Sequence, residues 1–265
     1  MLIFLRVFLI LLFILLLLWL AGFLFATDFS VPSRAVRQFR RVLVIFPHAD
    51  DEAISCGGFL HQLTSRGSIV TVALLTKGEK GPNATHASSL KEVRTQEART
   101  AANILGISRL VQEDFGDAAL QQKKQELRIF IAALIEQEIP DLLVTYDLAG
   151  FYGHPDHIAC SEVVSELQKT SFPEIALWYV TFPRRILAKV KMPEDIALDP
   201  HVQEKRAYAT HKIFIGADIL PKIKAWYTYK SQLVSLSKGI GIFSPRWFLW
   251  FLLSLVLFEY FAEVS

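Results

Sequence analysis

Five short apolar runs, Val42–Phe46, Ile69–Thr76, Leu110–Gln112, Leu142–Tyr146 and Ile175–Phe182, are rich in β-branched or aromatic residues and read as strands. Between them, Ala53–Ser65, Leu90–Leu105 and Leu120–Glu138 carry apolar residues at helical spacing, the second closed by Gly106 and the third stopping just before Pro140. This alternation of strand and helix constrains the chain to βαβ units. It predicts an α/β fold, a Rossmann-like, mostly parallel sheet with helices on both faces.

In open sheets of this kind ligands bind in the crevice at the carboxyl ends of the strands. Two of the runs lead into chemistry there. Val42–Phe46 is followed by Pro47-His48-Ala49-Asp50-Asp51-Glu52, and Leu142–Tyr146 is closely followed by Gly153-His154-Pro155-Asp156-His157. Imidazole nitrogen and carboxylate oxygen suit a hard or borderline divalent ion, and a catalytic zinc typically takes three protein ligands and keeps a position open. His48 and Asp51, three apart at a helix start, can point to one side, and His157, three after His154, is the natural third ligand. Asp50 then stands beside the metal without being needed as a ligand, suited to take a proton from water. Each residue alone has a plainer reading, since an acidic pair at a helix start favours the helix dipole and a lone histidine is often structural. The joint arrangement favours one metal.

The formal net charge of +2, with no dense Lys/Arg stripe, argues against nucleic acid. Cys56 and Cys160 read as small buried hydrophobes, with soft metal ligation as the alternative. The loop Thr76–Asn83 contains Gly78 and Gly81 but has neither dinucleotide nor P-loop spacing, so it reads as a cleft rim. The loop Phe182–Pro200 carries Arg184, Arg185, Lys189 and Lys191, which suit an anionic membrane surface or lipid phosphate, or else form a solvated basic face.

The ends of the chain are more apolar than its middle. Val7–Ala26 is about twenty residues without a charge, enough helix to cross a bilayer, and it reads as an uncleaved anchor rather than a signal peptide. Arg34, Arg37, Arg40 and Arg41 follow it, so the bias of positive charge toward the cytoplasm places the catalytic domain on that side. Near the other end, Trp247–Phe258 is short for a span. A helix at the membrane interface is favoured over one packed beside the anchor or docked on the domain.

The two clusters resemble the His-Pro-Asp-Asp-Glu and Gly-His-Pro-Asp-His motifs of the PIG-L/LmbE-like zinc-dependent de-N-acetylases, with Ala49 standing where the family usually has proline. The segment Val93–Ala98, with Ala101, Leu105 and Gly106, resembles the family's Arg/Glu helix. The resemblance implies that His48, Asp51 and His157 bind zinc or another divalent transition metal. It also implies that Asp50 is the general base, that His154, oriented by Asp156, stabilises the oxyanion, and that Arg94 is a candidate substrate contact, with a surface ion pair to Glu97 as its plainer role. The expected organisation is an anchor over 1–30, a catalytic domain over 31–238 and an apolar, membrane-associated segment over 239–265, with an apolar C-terminal helix in it. The expected activity is removal of acetate from an N-acetylated amino sugar, lipid-linked in the manner of N-acetylglucosaminyl-phosphatidylinositol. The alternatives are a deacetylase of a soluble N-acetylglucosamine conjugate and a non-catalytic membrane protein that binds lipid or a partner.

Overall fold

The computed structural model describes residues 2–188, 202–232 and 257–264. Its strands are β1 (Ser33–Arg34), β2 (Arg41–Phe46), β3 (Ile69–Leu74), β4 (Arg109–Gln112), β5 (Leu142–Tyr146), β6 (Ala176–Thr181), β7 (His211–Phe214) and β8 (Phe258–Val264). Its helices are α1 (Leu2–Ala26), α2 (Asp51–Ser65), α3 (Leu90–Leu105), α4 (Lys124–Glu138), α5 (Gly150–Gly153), α6 (Pro155–Ser171), α7 (Arg184–Leu187) and α8 (Ile219–Trp226). All five expected strands form, joined in the order β1-β7-β8-β6-β5-β2-β3-β4. Every neighbouring pair is parallel except those of β8, which runs against both β6 and β7.

Strand alternation divides the core. Val42, Val44 and Phe46 of β2 face one apolar cluster with α2 and α3, while Leu43 and Ile45 face a second with α4 and α6. Sheet order reverses between β2 and β5, because β3 and β4 follow on one side and β6 on the other. The crevice at such a switch point is bounded by the segments that leave these two strands, and these are the two motif-bearing segments.

The expected apolar C-terminal helix is corrected at its end. Phe258–Val264 is a strand inserted between β6 and β7, and residues 239–256 lie outside the described residues. Its buried Glu259 accepts hydrogen bonds from the Gly58 and Phe59 N–H groups at 3.0 and 2.7 Å and from Lys222 Nζ at 2.6 Å. Those two N–H groups open the second half of α2, which is interrupted at Cys56 (φ −144°, ψ 20°), so the carboxylate satisfies donors that the break leaves unpaired. Gly58 is required there, because an added Cβ would lie 2.6 Å from Ile215 Cδ1.

Of the basic loop, Arg184–Leu187 forms α7, whereas Lys189 and Lys191 lie outside the described residues. Helix α1 contains one apolar stretch, Ile3–Leu24, long enough to cross a membrane.

Candidate metal centre

The β2–α2 turn brings the first cluster together. Asp50 has φ 107°, a left-handed conformation that strains a residue with a side chain. Its neighbours hold it there: Asp50 N–H donates to Glu52 Oε2 at 3.2 Å, Arg94 Nη2 donates to the Ala49 carbonyl, and the same guanidinium lies 3.6 Å from Asp50 Oδ1. Asp51 begins α2 and accepts a hydrogen bond from His48 N–H at 3.0 Å. Glu52 is buried and accepts from Tyr229 Oη, which fits the support of the turn that its position suggests.

The second cluster opens α6. His154 is the N-cap, its Nδ1 accepting from Asp156 N–H at 3.2 Å, and Pro155 begins the helix, where a missing N–H costs nothing. One turn of helix then presents His157 inward. Its ring stacks on Tyr146, the last residue of β5, with centroids 4.5 Å apart and planes 4° from parallel.

The two clusters meet. His48 Nδ1 lies 3.2 Å from His157 Nε2, and Asp51 places one oxygen 3.7 Å from His48 Nδ1 and the other 3.6 Å from His157 Nε2. The opposite nitrogen, His48 Nε2, is 3.2 Å from Asp156 Oδ2 and 3.2 Å from Asp117 Oδ1. With Nε2–H held by these carboxylates, loss of the other ring proton would leave the Nδ1 lone pair facing His157 and Asp51. This is the carboxylate–histidine arrangement that orients a metal-bound imidazole. Among the described residues, the sets that bring one donor atom from each residue within 4.8 Å of one another are His48/His154/His157 and His48/Asp117/Asp156. In the latter, Asp156 is already engaged by the Ala118 and Leu120 N–H groups at 2.7 and 3.0 Å, so the Nδ1 side is the better cation site.

Electrostatics point the same way. Burial opposes charge on His48, but hydrogen bonds to Asp117 and Asp156 together with the Asp51 charge raise it to about 10. Burial keeps His157 neutral, well below the usual histidine range, and lowers His154 to about 4 with the help of the His48 charge. Burial pushes Asp50 up to about 7, against the pull of Arg94. The acidic groups call for a positive charge at this point. In the cation-free protein the imidazolium of His48 supplies it, and a divalent ion can take its place.

Two of the expected site residues make further contacts of their own. The Asp156 side chain binds His48 and the Ala118 and Leu120 N–H groups, so it is the Asp156 main-chain N–H that orients His154. Arg94 is 4% exposed and donates to the Ala49 and Gly78 carbonyls, and Glu97, its expected surface partner, binds Ser231. Asp117 and Tyr146 were not singled out by the sequence. Tyr146 Oη donates to Asp51 Oδ1 at 2.9 Å. The signal for Asp117 is weak, an acidic residue after Gly116 in the loop beyond β4.

A family model described as "PIG-L: GlcNAc-PI de-N-acetylase" matches residues 43–168. The diacetylchitobiose deacetylase of Thermococcus kodakarensis is 32% identical over 213 residues, which cover 77% of this chain and 74% of that protein. The chain belongs to the PIG-L family. A probable N-acetyl-alpha-D-glucosaminyl L-malate deacetylase 2 of Bacillus anthracis is 37% identical over 142 residues, covering 51% of this chain and 62% of that relative, less than two thirds of its length. Among solved structures, the A40926 pseudoaglycone deacetylase Dbv21 shares the fold with a TM-score of 0.62 at 20% identity, over 85% of this chain and 97% of that one. PIG-L deacetylases are zinc-dependent, and the two imidazoles and one carboxylate that converge here fit that ion.

Proposed function

We propose that this protein is a zinc-dependent N-deacetylase that hydrolyses the acetamide of an N-acetylated amino sugar, with a lipid-linked glycoside of the N-acetylglucosaminyl-phosphatidylinositol type as its substrate. The convergence of His48 Nδ1, His157 Nε2 and the Asp51 carboxylate, at separations of 3.2–3.7 Å, carries this reading. These three residues would hold the ion. When bound, zinc supplies a Lewis acid that acidifies water and polarises a carbonyl.

The remaining roles belong to the chain. Asp50, fixed by Arg94 beside the donors, takes a proton from the attacking water and returns it to the departing amine. The Asp156 N–H donates to His154 Nδ1, which leaves the proton of the neutral ring on Nε2 as a donor for the carbonyl oxygen as negative charge builds there.

The long apolar helix α1 supports a membrane-anchored enzyme and a lipid-linked substrate, and the arginines after it support a cytoplasmic catalytic domain. The relatives named for diacetylchitobiose and a malate conjugate favour a second reading, a water-soluble N-acetylglucosamine conjugate. Acetate release by the full chain, from the glycolipid and from its soluble headgroup, separates the two by their kcat/KM values. Asp50→Asn is expected to lower turnover by about 10²–10⁴-fold. Chelation is expected to abolish turnover and added zinc to restore it. Absence of acetate release from both substrates by the zinc-loaded wild type would overturn the enzymatic reading.

A further inference from the structure

The carboxyl ends of β2, β5 and β6 lie along one edge of the sheet. The amino end of β8 lies there too, because β8 runs against β6 with Tyr260 opposite Thr181. The end of α1 is fastened to this same edge. Asp28 N–H donates to Tyr260 Oη at 2.9 Å, Lys212 Nζ to the Asp28 carbonyl at 2.6 Å, and Arg185 Nη2 to the Thr27 carbonyl at 3.3 Å. Phe23 of α1 packs on Phe258, which packs on Phe214, with ring centroids 6.4 and 5.3 Å apart. Helical bonding continues into the junction through Thr27 N–H to the Phe23 carbonyl at 2.9 Å.

The shortness of this tether fixes where the domain can sit. The apolar stretch ends at Leu24, and Thr27 follows within about 5 Å along a helix that rises about 1.5 Å per residue. The headgroup layer on each side of the hydrocarbon core is itself about 5–8 Å deep. If α1 spans a bilayer, the edge it is fastened to lies among the headgroups and cannot stand away from them. The side chains there suit that depth. Phe29 and Phe214 are 61% and 53% exposed, and Trp19 stacks on Phe23 one turn back. Arg184 and Arg185 are exposed just beyond β6, Arg185 reaching the Thr27 carbonyl and Arg184 lying over the Tyr208 ring, and guanidinium pairs well with phosphate.

The candidate metal centre lies at this edge as well. Phe182, just beyond β6, stacks on Phe151, which stacks on Tyr146, which stacks on His157, at centroid distances of 4.5, 6.0 and 4.5 Å.

We propose that the carboxyl edge of the sheet, from α7 to Phe214, is a membrane-docking surface. It is seated among anionic phospholipid headgroups, with Arg184 and Arg185 on lipid phosphate, Phe29 and Phe214 at the acyl boundary, and the metal centre opening along the bilayer. This rests on α1 being a retained anchor.

The test uses the full chain in phosphatidylcholine vesicles with and without phosphatidylglycerol. Cys56 and Cys160 are buried, so one added cysteine takes a fluorophore selectively. Labels at Phe214→Cys and, independently, Phe29→Cys are expected to be quenched by lipids carrying a nitroxide near the headgroup. A label at Ser65→Cys, exposed at the far end of α2, is expected to be spared. Quenching at the first two positions is expected to deepen with phosphatidylglycerol, and Arg184→Gln with Arg185→Gln is expected to remove that increment. Equal quenching at all three positions, or none at Phe214 and Phe29, overturns the proposal. The intact mass of membrane-extracted protein separates this failure from loss of the anchor: a chain lacking its first residues overturns the anchor reading itself.

Discussion

The two apolar ends of this chain look alike in sequence and differ in structure. Helix α1 exposes its apolar side chains along Ile3–Leu24, whereas Phe258, the last residue of the later run, opens β8, whose residues Glu259–Ala262 are buried within the sheet. Apolar composition indicates only that a segment leaves water, and the partner is decided elsewhere. For β8 the partners are open strands on both sides and a buried cation for Glu259. Among the described residues α1 has no comparable enclosure. Its last turn meets the domain through Phe23 on Phe258, and the residues just after it, Thr27 and Asp28, are held by Arg185, Lys212 and Tyr260.

Truncation tests this contrast most severely. Removing residues 1–26 is expected to leave cooperative unfolding intact, while removing 258–264 is expected to abolish it, because β6 and β7 lose the strand that joins them; circular dichroism during denaturant titration checks both. Next in size, Glu259→Gln leaves Lys222 as a buried charge without its carboxylate and is expected to cost about 3–5 kcal/mol. Pairing it with Lys222→Met should recover part of that loss, a coupling that a double-mutant cycle measures.

A smaller effect depends on pH. Burial lowers the pKa of His211, on the β7 side of β8, to about 4, so the folded state keeps it neutral where the unfolded chain, with a value near 6.5, takes up a proton. Its contribution is therefore present above about pH 6.5 and falls as pH drops toward 4. Roughly 2 kcal/mol should be lost from this group between pH 7 and pH 5. His211→Gln is expected to reduce that loss, measured as the change in unfolding free energy between the two pH values. The smallest effect is at the junction of the two ends. Tyr260→Phe removes the hydrogen bond to Asp28 N–H and should cost about 1 kcal/mol, read from the midpoint of urea unfolding.

Much of the sheet was legible because its signals are local. β2, β3 and β5 are short apolar runs in which neighbouring side chains face opposite cores, and α3 ends at Gly106 as the sequence predicts. The two clusters were legible for a similar reason, since imidazole and carboxylate groups at strand ends advertise their chemistry. β8 was not legible: its apolar lead-in reads as a membrane segment, and the strand becomes evident only when β6 and β7 are seen to need a partner. The burial of Arg94 was not legible either, because nothing in the helix pattern shows that the Ala49 and Gly78 carbonyls close around it.

By itself the sequence determined the α/β architecture, the donor types available to a metal and the apolar character of both ends, since each follows from local periodicity or side-chain chemistry. Only the tertiary structure decided which nitrogen of His48 faces His157 and which faces Asp156, 108 residues away. Tertiary structure also decided that Glu259 closes the break in α2 across 201 residues, and that α1 ends on the edge bearing the metal centre. These are contacts between distant segments, fixed when the sheet assembles and each buried polar group must find a partner.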